Sequence, residues 1–247
     1  MMIFMRKSAL LLTLVFSIAA QAQERCGFEI KILLAPQPTE SVVASLNASE
    51  ATTGQVYFFD TSGLDLLSRG VIIRLRQGLI RDLTIKLRPV AGKKFVDPSG
   101  GKEKLKCEVD LIEGAATYSY SVQRQLPRDQ MPETGPEVYR LLTAGQNNLI
   151  KQAQIAIDWT QVKKIAVIQS TDWRAKARQP FNELALEFWE WQGGKILEVS
   201  TKVSAAAGPS RYAELEQLLK SKGIALSSQQ QFKTAKVLET LVRPAAE

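Results

Sequence analysis

Charges recur at a spacing of two residues along segments whose other positions are apolar or β-branched. Ile72-Ile73-Arg74-Leu75-Arg76 and Leu83-Thr84-Ile85-Lys86-Leu87-Arg88 each carry two cations so spaced, and Lys106-Cys107-Glu108-Val109-Asp110 carries carboxylates at the same interval. Side chains alternate between the faces of a strand, so each pair projects from one side of a sheet. Two arrangements satisfy this pattern. In one, the apolar face packs inward and the charges stand in water. In the other, the charges line a cavity. The signs are sorted by strand, cations on some and carboxylates on others, which favours the cavity.

The first residues read as a leader rather than as part of the fold. Arg6 and Lys7 precede the apolar run Ala9 to Ala19, and Ala20-Gln21-Ala22 supplies the small residues of a cleavage site. This pattern predicts a secretory signal peptide over residues 1–22, a mature chain from Gln23, and an exported protein, periplasmic or secreted, with no membrane anchor after cleavage. Residues 23–247 then form a single domain, long enough to bury a core. Without the leader the chain has 30 Lys and Arg against 25 Asp and Glu, a balance of +5 that favours acidic ligands only weakly. There is no basic run studded with aromatic residues, so no nucleic-acid partner is expected.

The chain contains no histidine. Ser-His-Asp and Cys-His mechanisms are therefore excluded, as are zinc sites built on imidazole. Chemistry must run on carboxylates, Lys, Arg, Tyr and a hard metal held by oxygen. The two cysteines, Cys26 and Cys107, form an even pair, which in an oxidising compartment predicts one disulfide. Parity agrees, since both thiols fall on the faces opposite the charges of their own strands.

Along the chain, strands are predicted over Phe28–Leu34, Val56–Asp60, Val71–Gln77, Leu83–Arg88 and Leu105–Ile112, with a Gly/Lys-rich loop from Gly92 to Lys104. Thr39 is placed as the cap of a short helix through Val42, Val43 and Leu46. From Tyr118 to Gln154 the apolar residues change to helical spacing. Strands resume over Val162–Ile168, Trp173–Arg178, Glu183–Glu190 and Lys195–Val203. Two helices follow, one over Gly208–Lys222 stopped by Gly223, and one carrying Lys236, Val237, Leu238 and Leu241. Trp189 and Trp191 share a strand face, read as covered by an outside helix rather than as a partner surface. The composite is α+β, an antiparallel β domain with helices packed outside.

The segment Val56-Tyr57-Phe58-Phe59-Asp60-Thr61, then Leu64-Asp65-Leu66-Leu67-Ser68-Arg69-Gly70, then Val71 to Arg76, resembles the CYTH superfamily of triphosphate tunnel metalloenzymes. Thr84-Ile85-Lys86-Leu87-Arg88 continues the likeness, which is strong over residues 56–88 and diffuse over the rest of 27–235. The resemblance implies a closed antiparallel β-barrel whose bore binds a small polyanion such as triphosphate together with a divalent metal, Mg²⁺ or Mn²⁺. It implies phosphate-binding roles for Arg74, Arg76, Lys86 and Arg88, extended by Arg174, Lys176, Arg178 and Lys202. It implies metal ligation by Glu29, Glu108, Asp110, Glu187 and Glu198, with Glu29 and Lys31 as the catalytic candidates.

Two positions depart from the family pattern. Where it begins Glu-x-Glu-x-Lys, this chain reads Gly27-Phe28-Glu29-Ile30-Lys31. The later carboxylate repeat reads Glu198-Val199-Ser200-Thr201-Lys202. Each has one carboxylate where the pattern has two, and a hard cation loses affinity with each oxygen ligand removed. The expectation therefore has three forms: a metal-dependent triphosphatase, a tunnel that binds a polyanion without cleaving it, and an envelope interaction protein in which the barrel is only a scaffold.

Overall fold

The computed structural model describes residues 26–78, 80–88, 103 and 105–242. The expected signal segment lies outside them, as does all of the 92–104 loop except Glu103. Among the described residues the strands are β1 (Gly27–Leu33), β2 (Ser49–Asp60), β3 (Val71–Gln77), β4 (Asp82–Leu87) and β5 (Leu105–Ile112). They continue as β6 (Ala115–Gln125), β7 (Lys163–Lys176), β8 (Glu183–Trp191) and β9 (Gly194–Val203). These nine close into a barrel in the order β1-β5-β6-β4-β3-β2-β7-β8-β9. A closed ring with an odd number of strands cannot be antiparallel at every seam. The exception is β1 against β5, which run parallel with Glu29 opposite Asp110. The barrel is therefore mixed at that seam and antiparallel at the others.

The alternation in sequence resolves in favour of the cavity. Ile30 and Ile32 of β1 point outward with Val109, Leu111, Leu186 and Val199, where α1 (Thr39–Leu46) and α5 (Gly208–Ser221) cover them through Val42, Leu46, Leu215 and Leu219. Ile73, Leu75, Leu83, Ile85 and Val122 form a second outer layer beneath α3 (Gly135–Leu141) and α4 (Ala144–Ala153). Each such fully buried aliphatic side chain contributes roughly 1.5–3 kcal/mol relative to an exposed one. Thr39 is the first residue of α1, and Pro38 occupies the cap position without a side-chain bond.

A third apolar cluster lies inside the barrel at one end. Leu33, Phe58, Ile72, Ile168, Trp189 and Ile196 pack there against Val237 and Leu238 of α6 (Lys233–Val242). Trp189 is thus internal, 5.7 Å from the Phe58 ring and covered by α6. Along β1, β3, β8 and β9 the inward positions run from apolar at this end to charged at mid-barrel.

The family-like segment has a structural reason for its residues. Asp60 accepts hydrogen bonds from the backbone of Thr61 (2.7 Å), Leu66 (2.9 Å) and Leu67 (2.9 Å), which folds the turn into α2 (Asp65–Ser68). Gly70 has φ +77°, and a Cβ there would stand 2.4 Å from the Arg88 carbonyl oxygen. Only glycine meets both conditions.

Three strands differ from expectation, for one reason. β2 begins at Ser49, the two segments around 169–172 join into one 14-residue β7, and β6 occupies residues assigned to the start of a helical stretch. Their inward positions face a polar bore, so Ser119, Ser121, Gln123, Ser170 and Asp172 replace the apolar residues that ordinarily mark a strand.

Candidate functional site

The bore is a cavity of about 190 Å³ lined by side chains of every sign. One wall is basic. β3 supplies Arg74 and Arg76, and β4 supplies Thr84 and Lys86, with Arg88 just beyond it. Arg76 Nε donates to Asp82 at 2.9 Å. Arg74 has no such partner: its buried Nε donates to none among the described residues, and Asp82, Glu187 and Glu108 act on its charge only from beyond ion-pair distance. Burial, followed by the like charge of Arg76, disfavours the Arg74 cation and lowers its pKa. Arg88 also has a buried, unpartnered Nε, and its nearest carboxylate, Asp110, is 4.0 Å away.

The facing wall is acidic and comes from β1 and β5, adjacent through the parallel seam. Glu29, Glu108 and Asp110 each offer one oxygen within 4.8 Å of the others. Ammonium groups stand among them. Lys31 Nζ donates to Asp110 at 2.6 Å and lies 3.1 Å from Glu29. Lys86 Nζ lies 3.5 Å from Glu108 and 3.6 Å from Asp110, and Lys106 is 2.6 Å from Glu108. Burial opposes the Lys31 charge, but Asp110, Glu29 and Glu198 together hold its pKa above the ordinary lysine value. Burial likewise opposes the Asp110 anion, yet Lys31 and Lys86 pull its carboxyl down to about 2. Lys86 responds in the other sense, brought down to about 8 by burial and the neighbouring Lys31.

The two positions that depart from the family pattern are beside this wall, Gly27 at the start of β1 and Ser200 on the neighbouring β9. Ser200 donates its hydroxyl to Glu29 at 3.2 Å. Gly27 begins β1 opposite Glu108, and a Cβ there would meet nothing within 4 Å. Steric room for a Cβ therefore exists at Gly27.

At the closed end, Phe232, Lys233 and Thr234 of the segment entering α6 line the bore. Gln230 fixes that segment by donating to the Leu33 carbonyl (2.9 Å) and accepting from its N–H (2.8 Å). Lys233 pairs with Glu187 and stands 3.0 Å from Glu198. At the open mouth, Arg174 joins Arg76, Asp82, Asp172 and Glu187. Burial and the Glu187 charge push the Asp172 carboxyl up to about 6.

Of the residues expected in the site, Glu29, Lys31, Arg74, Arg76, Lys86, Arg88, Glu108, Asp110, Glu187 and Glu198 converge in the bore, and Arg174 lies at its mouth. Lys202 is exposed near the end of β9, opposite Glu29. Lys176 and Arg178 lie elsewhere, in an outer groove with Leu46, Glu214 and Lys222. The period-two extension fails there because β7 pairs with β2 only as far as Arg174, so Lys176 and Arg178 lie past the stretch held in the wall on both sides. Cys26 and Cys107 form the disulfide, with Cα atoms 4.6 Å apart across the parallel seam. Sequence reasoning missed Lys233 and Phe232, which carry no local signal. Asp172 did carry one, being two residues before Arg174 on the same strand.

The donor chemistry of Glu29, Glu108 and Asp110 fits a hard divalent cation, since three carboxylate oxygens lie in mutual reach. Such an ion competes with the Lys31 ammonium for Glu29 and Asp110.

No protein-family model and no curated protein matches the chain. Solved structures do. A Hippeastrum protein assigned as an adenylyl cyclase, HpAC1, for which a dominant triphosphatase activity is described, aligns with TM-score 0.55 at 18% identity over 85% of this chain and 94% of its own. A Bacillus halodurans protein assigned as an adenylate cyclase aligns with TM-score 0.55 at 13% identity, covering 85% and 97%. Together with the closed barrel, its sorted walls and the motif over residues 56–88, these likenesses give the chain the fold of the CYTH-type triphosphate tunnel proteins.

Proposed function

We propose that the protein is exported and binds a short linear polyanion of the triphosphate type inside its barrel. One observation carries this reading: Arg74 directs a buried guanidinium with an unpartnered Nε into the bore, and no carboxylate among the described residues pairs with it. A buried cation is costly without a counter-charge, and phosphate oxygens meet a guanidinium fork in good geometry. Arg76, Lys86 and Arg88 would align successive phosphoryl groups along the same wall. The cavity, about 190 Å³, is smaller than the roughly 300–1,000 Å³ of pockets that bury drug-sized ligands. That size suits a chain of a few phosphoryl groups. The disulfide supports an oxidising compartment.

A second reading, hydrolysis of triphosphate, draws on the acidic cluster directly across from the basic wall. Glu29, Glu108 and Asp110 would hold Mg²⁺ or Mn²⁺, which when bound supplies charge neutralisation at the transferred phosphoryl. Lys86, shared between the walls, would keep the phosphate chain against the cluster, and Lys31 would hold Glu29 and Asp110 in place.

Tripolyphosphate tests both. The mature protein is expected to gain thermal stability with it in the absence of metal, and Arg74→Ala to lose that gain. Phosphate release with Mg²⁺ or Mn²⁺, abolished by Glu29→Gln, would establish hydrolysis. Stabilisation without release leaves a binding protein. Neither effect would sink both readings for this ligand.

A further inference from the structure

The inward carboxylates of the tunnel fall into two groups with different partners. Glu29, Glu108 and Asp110 form the cluster described above. Glu187 and Glu198 stand directly opposite each other on β8 and β9 and do not belong to it. Between them sits the ammonium of Lys233, bonded to Glu187 and 3.0 Å from Glu198.

This lysine is built into its place. It is 8% exposed, at the first turn of a helix whose Val237 and Leu238 are buried in the end of the barrel. Its Nζ also lies 4.5 Å from the Trp189 ring centre, and the Trp189 indole N–H donates to Glu187 at 2.7 Å. The ammonium thus meets two carboxylates and the face of an aromatic ring, all its directions satisfied. The carboxylates in turn hold Lys233 protonated against the cost of burial, and Lys233 pulls the Glu187 carboxyl down to about 2. Two facing carboxylates in a closed, polar site form a setting that a divalent cation also takes. Here that position is filled by a side chain that cannot dissociate.

We propose that Lys233 is a resident cation, standing where a divalent ion would otherwise bind Glu187 and Glu198. Exchangeable metal in the tunnel is then confined to Glu29, Glu108 and Asp110. The inference takes from the preceding reading only that this three-carboxylate cluster binds a divalent ion.

Titration of the mature chain with Mn²⁺, following the free ion by electron paramagnetic resonance, tests it without reference to turnover. The native protein is expected to bind a single Mn²⁺, and Glu29→Gln to lose it. Glu187→Gln should leave the affinity within about twofold, because its partner is Lys233. Lys233→Met should acquire an additional Mn²⁺, and its melting temperature should rise with Mn²⁺ by more than that of the native chain. A loss of about tenfold or more in Glu187→Gln makes Glu187 a metal ligand and overturns the inference. So does a Lys233→Met variant that folds without gaining an ion, or one that stays unfolded in millimolar Mn²⁺. Failure of the preceding reading looks different: native protein and Glu29→Gln alike bind no Mn²⁺. A single ion gained by Lys233→Met would still support the resident cation in that case.

Discussion

The guanidinium of Arg88 lies 3.7 Å above the ring of Phe232. The basic wall and the segment leading into the last helix therefore share one contact inside the barrel. Phe232→Leu keeps apolar volume and removes the π face, and is expected to lower stability by about 1 kcal/mol. Urea unfolding of that variant, Arg88→Met and the double variant should give a coupling of roughly 0.5–2 kcal/mol. Additive effects would mean that the stacking is incidental.

Arg74 is expected to be a functional residue that the fold bears at a cost. Arg74→Ala should weaken tripolyphosphate binding by about tenfold or more, since a charge-assisted contact to phosphate is worth roughly 1.5–3 kcal/mol. The same variant, free of ligand, should match or exceed the native melting temperature, because a cation whose burial outweighs its distant carboxylates is gone. A large loss of stability would show that Arg74 has a structural partner.

Asp172 gives the protein a defined pH dependence. Its carboxyl is raised from 3.8 to about 6, mainly by burial and then by Glu187. Between those values the folded protein keeps a proton that the unfolded chain has released, so stability falls as pH rises. The penalty is absent below about pH 4 and full above about pH 6. Asp172→Asn is therefore expected to stabilise the protein by on the order of 1–2 kcal/mol near neutral pH and by nothing near pH 4. Equal gains at both would assign the effect to packing.

Gly27 offers the converse experiment. An added Cβ meets nothing within 4 Å, and the position faces the bore beside Glu108. Gly27→Glu should strengthen Mn²⁺ binding at the acidic cluster by about tenfold, a further oxygen ligand for a hard cation. Calorimetric titration of both forms decides it, and an unchanged affinity would place the new carboxylate out of reach.

The disulfide closes a separation of 81 residues across the parallel seam. In the chain-entropy account a loop of that length contributes about 4.5 kcal/mol. Cys26→Ser with Cys107→Ser should lower the urea midpoint accordingly without changing the far-ultraviolet spectrum. A midpoint unchanged by the pair of substitutions would mean that the barrel closes as well without the bond.

Much of the site was legible because strand geometry is periodic. Arg74 with Arg76, Lys86 with Arg88 and Glu108 with Asp110 could be assigned a common face from spacing alone, and the barrel turns those faces inward. The disulfide followed from cysteine parity and the expected compartment. The same periodicity failed for Lys176 and Arg178, which continue the alternation past the point where β7 borders the bore. It also failed for β6, where the polar lining of the cavity removes the apolar signal from the inward face.

The sequence by itself determined the alternation, the sorting of charge by strand, the single pair of cysteines and the exclusion of imidazole chemistry. All of these are local, set by residue type and spacing. Only the tertiary structure decided which face of each strand turned inward, that an odd ring of strands required one parallel seam, and which ammonium met which carboxylate. Lys31 and Asp110 are 79 positions apart, and Lys233 and Glu187 are 46. Electrostatic partnership depends on distance in space, and closure of the barrel is what brings these charges within reach.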